Sequence, residues 1–166
     1  RAAVFLITPD KDFGLAVQKE MEKQMKELSR YEIMKSSVDQ YAKAFLCKDA
    51  EQCFDIVNKI APEHLEVELP DPKKYLPLIY NAGAIFLGKY TSEPIGDYMA
   101  GPNHTLPTSG TAAFSSPLGV YDFVKHSSVE CYSEEAFRKI SKKVQLFAKA
   151  EGLTAHAHAM EVRDED

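Results

Sequence analysis

Ala44-Phe45-Leu46-Cys47-Lys48-Asp49-Ala50-Glu51-Gln52-Cys53-Phe54-Asp55-Ile56-Val57-Asn58-Lys59-Ile60 holds a complete structural unit in one stretch of chain. The first four residues are an apolar run of strand length. Asp49 is a good N-cap, and Gln52, three residues on, reaches back over the helix start in a capping-box pattern. Cys53, Ile56, Val57 and Ile60 then return at helical spacing, and Pro62 closes the helix. A strand running straight into a capped amphipathic helix is the building block of an α/β layer domain.

The neighbouring stretches repeat this grammar. Ala3-Val4-Phe5-Leu6-Ile7 reads as a buried strand, with Pro9-Asp10 as turn chemistry behind it. Phe13, Val17, Met21, Met25 and Leu28 mark one face of a helix. Tyr31-Glu32-Ile33-Met34 reads as a short strand, and Ala84-Ile85-Phe86-Leu87 as a further buried one. Alternating strands and helices predict a largely parallel sheet in an α/β fold. From Lys89 to Val120 the pattern breaks into Gly and Pro, and so long an irregular stretch in a compact domain is often functional. Ser133 then caps a last helix whose stripe is Phe137, Ile140, Val144 and Phe147, and which Gly152 stops.

Composition narrows the class. The 166 residues are enough for a core of one domain, and 45% hydrophobic with 27% charged residues is ordinary for a globular chain. A net charge of −5 argues against a nucleic-acid-binding module, which would carry a basic stripe. The run from Ala2 to Thr8 is too short for a signal-peptide core or a membrane span. Cys47, Cys53 and Cys131 are odd in number and lack metal-type spacing, so free thiols in a reducing cytoplasm are expected. The chain enters its first strand at Arg1 without a Met, as a fragment would.

Several residue groups carry chemistry. Gly83 to Lys89 has the glycine and lysine spacing of a phosphate loop. Tyr90 stands where the Ser or Thr belongs, however, and the intervening residues are a strand. Glu63-His64 follows Pro62 at a helix end, where a neighbouring carboxylate and imidazole can converge as two proton acceptors. On spacing alone a surface glutamate beside a half-buried histidine is the plainer reading. Asp97 and His104 share the Gly/Pro-rich loop and are open to ligand binding or to turn chemistry. His156 and His158 lie beyond the predicted last helix. In an extended segment they would face one side and suit one metal ion, and in a polar tail they would do nothing.

Together these motifs resemble histidinol dehydrogenase. The match runs through Ile60-Ala-Pro-Glu-His-Leu-Glu66, Asn81-Ala-Gly-Ala-Ile-Phe-Leu-Gly88, Gly96-Asp-Tyr98, Gly101-Pro-Asn-His-Thr-Leu-Pro-Thr-Ser-Gly110 and Leu153-Thr-Ala-His156, in the family's order. The resemblance implies a zinc-dependent, NAD-linked, homodimeric oxidoreductase of histidine biosynthesis that takes L-histidinol through the aldehyde to L-histidine. It places the catalytic bases at Glu63 and His64 and zinc ligands at Asp97 and His156. His156 would come from the neighbouring subunit. Substrate contacts are implied at His64, Asp97, His104, Glu151 and His156. NAD-contacting residues are not assigned.

Two further zinc ligands, a Gln and a His, are implied in a segment that would precede Arg1. The expected architecture is therefore residues 1–118 as part of an incomplete Rossmann-like α/β domain, with residues 119–166 as a helical dimerisation arm. This chain alone is then expected to bind zinc weakly or not at all, and to be inactive on histidinol. The competing readings are a non-enzymatic dimerisation or ligand-binding module derived from the same enzyme, and a small hydrolase using Glu63 and His64 without NAD.

Overall fold

A computed structural model describes residues 2–165. The chain divides into two compact units, Arg1–Val124 and Lys125–Asp166.

The first unit is α/β. Its elements run β1 (Phe5–Thr8), α1 (Lys11–Met25), α2 (Tyr31–Tyr41), β2 (Lys43–Leu46), α3 (Ala50–Ile60), β3 (His64–Val67), a 3-10 segment Pro72–Leu78, β4 (Ala84–Leu87) and α4 (Glu93–Tyr98). Among the described residues the strands form two parallel pairs. In the first, Phe5 stands opposite Lys43 and Thr8 opposite Leu46. In the second, His64 stands opposite Ala84 and Glu66 opposite Phe86.

Local chemistry explains most boundaries. Asp10 is more than a turn residue, because its carboxylate accepts the Phe13 amide at 3.0 Å and caps α1. At α3 the Asp49 carboxylate accepts the Gln52 amide at 2.8 Å, and the Gln52 side chain accepts the Lys48 amide at 2.7 Å. Tyr31–Met34, expected as a strand, instead opens α2. A four-residue apolar run does not separate strand from helix, and Tyr31, Met34 and Val38 supply the spacing of a half-buried helical face. The glycine-and-lysine decoy is indeed strand, since Ala84–Leu87 is β4.

The core that matters for the site lies under α3, β3 and β4, where Phe54, Val57, Ala61, Val67 and Phe86 are buried. Asn58 is buried with them and leaves no polar atom idle. Its amide donates to the Leu78 carbonyl, and its oxygen accepts the Tyr80 and Asn81 amides. The loop leading into β4 is thereby tied to α3.

The second unit is a helical hairpin of α5 (Glu134–Ala150) and α6 (Thr154–Glu165). Ser133 caps α5 through the Ala136 amide at 3.2 Å. The face that α5 buries is Ser141, Gln145 and Ala148, whereas Val144 and Phe147 of the apolar stripe stay exposed. Asp164 on α6 accepts from Ser141 at 2.8 Å and Gln145 at 2.7 Å, and pairs with Lys142 at 2.9 Å. These bonds hold its carboxyl below the usual range, with Lys142 and Ser141 contributing most. A second helix thus follows the one expected to be last. His156 and His158 lie on α6, where residues two apart diverge, so they do not form the one-sided pair an extended strand would give.

Candidate functional site at the mouth of the second strand pair

The site begins with the way α3 ends. Ala61 caps the helix in the left-handed region, at φ 48°, and is 2% exposed. Left-handed backbone is costly for any residue with a Cβ, and there is no space here for a larger side chain. The turn sends Pro62 and Glu63 directly into β3. Their carbonyls accept the Gly83 and Ala84 amides at 2.9 and 2.8 Å. Gly83 is needed for that approach, because a Cβ there would lie 2.6 Å from the Glu63 carbonyl oxygen.

His64 opens β3. In a strand, residues two apart share a face, and cross-strand partners share it as well. His64, Glu66 and Phe86 accordingly line one face of the pair. The His64 and Phe86 rings stack at 6.0 Å between centroids, with 28° between planes. The short helix α4 lies over this face, with Gly96 packed on the Phe86 ring. It brings two carboxylates to the imidazole. His64 Nε2 lies 3.8 Å from Glu93 Oε1 and 3.9 Å from Asp97 Oδ1. That nitrogen is shielded from solvent and has no hydrogen-bond partner among the described residues. The His64, Glu93 and Asp97 side chains are still 29%, 37% and 33% exposed, so a small molecule or ion can reach them.

The electrostatics match the geometry. Glu93 and Asp97 sit one helical turn apart. Burial raises the Glu93 carboxyl above the ordinary value of 4.5, and the hydrogen bond with Asp97 and its charge add to this, with His64 opposing. One ligand atom from each of His64, Glu93 and Asp97 falls within 4.8 Å of the others. Nitrogen and oxygen donors around an unpartnered imidazole nitrogen are a set that zinc accepts, and a cation would relieve the carboxylate pair. The residues present therefore fit a metal ion.

Of the residues singled out in the sequence, the structure brings His64 and Asp97 together. Glu63 directly precedes His64 in the chain and is half-buried. His104 is exposed on a separate turn, where the Asn103 side chain accepts the Thr105 amide at 2.7 Å. Glu151 caps the end of α5 and His156 lies exposed on α6, both in the second unit. Glu93 was missed. Its signal was present as Glu93 and Asp97 four residues apart around Pro94, but the Gly/Pro richness of the stretch hid the helix turn that makes them neighbours.

Comparison with known proteins bears on the family of the chain. The sequence model of histidinol dehydrogenase matches residues 1–164. Histidinol dehydrogenase of Aquifex aeolicus is 50% identical over 165 residues, covering 99% of this chain and 39% of that protein. The Lactiplantibacillus plantarum enzyme of the same name is 50% identical over 163 residues, 98% of this chain and 38% of its own length. A crystal structure of histidinol dehydrogenase from Elizabethkingia anophelis superposes with a TM-score of 0.85 at 32% identity, covering 98% of this chain and 37% of that one. This chain thus spans under two-fifths of its relatives' length. Across that span, sequence and fold agree that the chain belongs to the histidinol dehydrogenase family.

Proposed function

We propose that this chain forms part of a zinc-dependent, NAD-linked dehydrogenase that oxidises L-histidinol through the aldehyde to L-histidine. The observation that carries the reading is the unpartnered Nε2 of His64 beside Asp97, delivered by two elements far apart in sequence. A shielded nitrogen with no partner among the described residues is left for a substrate to engage, and imidazole is the side chain most often used to accept a proton.

In this reading His64 removes the hydroxyl proton during the first oxidation. Glu63 activates water for attack on the aldehyde in the second. Asp97 and His156 hold zinc, with His104 and Glu151 touching substrate. A Gln and a His from a preceding segment complete the zinc shell. When bound, zinc supplies a Lewis acid that orients the substrate's amine and imidazole, and NAD supplies the hydride acceptor. The first unit belongs to a larger Rossmann-like layer. The helical hairpin acts as a dimerisation arm that carries Glu151 and His156 to a second subunit's site in a cytoplasmic homodimer. No helix among the described residues is long and apolar enough to cross a membrane.

NADH absorbance on adding histidinol tests the proposal. The purified chain alone is expected to give none. A fusion to the preceding region of the Aquifex aeolicus relative is expected to turn over, and His64→Gln in that fusion to abolish turnover. A folded, dimeric fusion that remains inactive would overturn the assignment.

A further inference from the structure

We infer that Glu66 is a positioning residue of this site: its carboxylate holds the start of α4, and so sets the helix carrying Glu93 and Asp97 on the strand carrying His64. The inference rests on the proposed site above.

A six-residue helix cannot hold itself, because nucleation costs more than one turn of bonds returns. Its place must come from outside. The N-cap of α4, Ser92, makes no side-chain capping bond. Pro94 has no N–H to offer, so the Glu93 amide is a first-turn donor that needs a partner. That partner is Glu66 Oε1 at 2.8 Å, from a strand 27 residues earlier. An anionic acceptor also suits the positive end of a helix.

The geometry makes this cap more than a local stabiliser. Glu66 sits two residues from His64 on the same strand face and opposite Phe86 in the register. The carboxylate therefore measures α4 against the same two residues that frame the imidazole. Glu93 and Asp97 then reach His64 at 3.8 and 3.9 Å because the helix starts at that point. With the bond at Glu93 gone, the contact of Gly96 with Phe86 leaves α4 free to pivot.

The test compares Glu66→Ala with Glu66→Gln in this chain by NMR. Gln keeps an oxygen acceptor and drops the charge. In Glu66→Ala, protection of the Glu93 amide against hydrogen exchange is expected to fall about fivefold, the equivalent of a lost cap. Contacts between the His64 ring and the Asp97 methylene should weaken with it. Glu66→Gln should restore both to within about twofold, and signals of the second unit should not move. A purely structural role would lower the melting temperature and leave the ring contact in place. Unchanged Glu93 protection and ring contact in Glu66→Ala would overturn the inference. Adding Zn2+ separates it from the underlying reading. The Zn2+ is added to the fusion described above, which supplies the preceding segment: His64 signals there that ignore Zn2+, while Glu66→Ala still frees α4, would sink the metal site and leave the clamp standing.

Discussion

Replacing Gly96 with alanine sets a small change in stability against a large change in site geometry. A Cβ at Gly96 would lie 2.5 Å from Phe86 Cε1 and 2.8 Å from Cζ. Carbon atoms pack best at about 3.5–4.0 Å, so a gap of about 1 Å must open. Phe86 is 6% exposed, with its backbone held in the β3–β4 ladder, so the ring has little room to retreat. The helix must lift or the ring must turn against His64. Overpacking of this kind costs about 1–3 kcal/mol. Alanine inside a helix returns about 1 kcal/mol relative to glycine. The net is a loss of about 0–2 kcal/mol, which lowers the melting temperature by less than about 8 °C.

The catalytic consequence is larger. A shift of α4 by about 1 Å displaces Asp97 relative to His64, and misplacement on that scale can cost about a hundredfold in rate. The assay is histidinol-dependent NADH formation by the fusion described above, with circular dichroism melts run on the same samples. The expected result is a nearly native melt with turnover down about a hundredfold. Turnover within about threefold of wild type would refute the reasoning, because the close approach of Gly96 to Phe86 would then not be needed for the site's geometry.

Glu93→Gln should change how stability depends on pH in the metal-free chain. The folded Glu93 carboxyl sits above its ordinary 4.5, so the folded state binds this proton more tightly than the unfolded one. That contribution is complete below 4.5 and is lost as pH rises through the folded value, so melts of the wild type minus those of Glu93→Gln should fall across that window. A flat difference would mean that the Glu93 carboxyl is not raised by folding. Thiol reactivity should be ordered: burial, then the hydrogen bond with Cys47, pushes Cys53 up to about 12, Cys47 is buried and Cys131 is exposed. Iodoacetamide at mildly alkaline pH should therefore label Cys131 first, and peptide mass mapping that finds Cys53 labelled as fast would contradict this. Asp49→Ala should cost about 1 kcal/mol in urea unfolding while Asp49→Asn stays near wild type, and equal loss in both would mean the charge matters more than the cap.

Much of the fold was legible because it is decided by neighbours a few residues apart. The cap at Asp49, the stripe of α3 and the apolar runs of β1, β2 and β4 are all short-range features, and the structure keeps them as elements, although the strands expected to be buried leave Val4, Phe5 and Ile85 exposed. The errors have the same origin. Tyr31–Met34 is too short to show its period, and α6 lacks a clear apolar stripe because its inward side is the small Ala157 together with Asp164 against Ser141 and Gln145. A helix anchored by polar groups reads in sequence as a tail.

By itself the sequence determined the α/β class, the position of Glu63-His64 just past a helix end, and the family through its ordered motifs. Only the tertiary structure decided that His64 meets Asp97, that Glu93 joins them, and that Glu66 holds the helix bearing both carboxylates. Those contacts join residues 27 or more positions apart. They depend on the parallel register that sets Glu66 opposite Phe86, and on the absence of a side chain at Gly96. Neither the register nor the close approach is written in any local pattern, because each is settled only when α4 packs onto the face of β3 and β4.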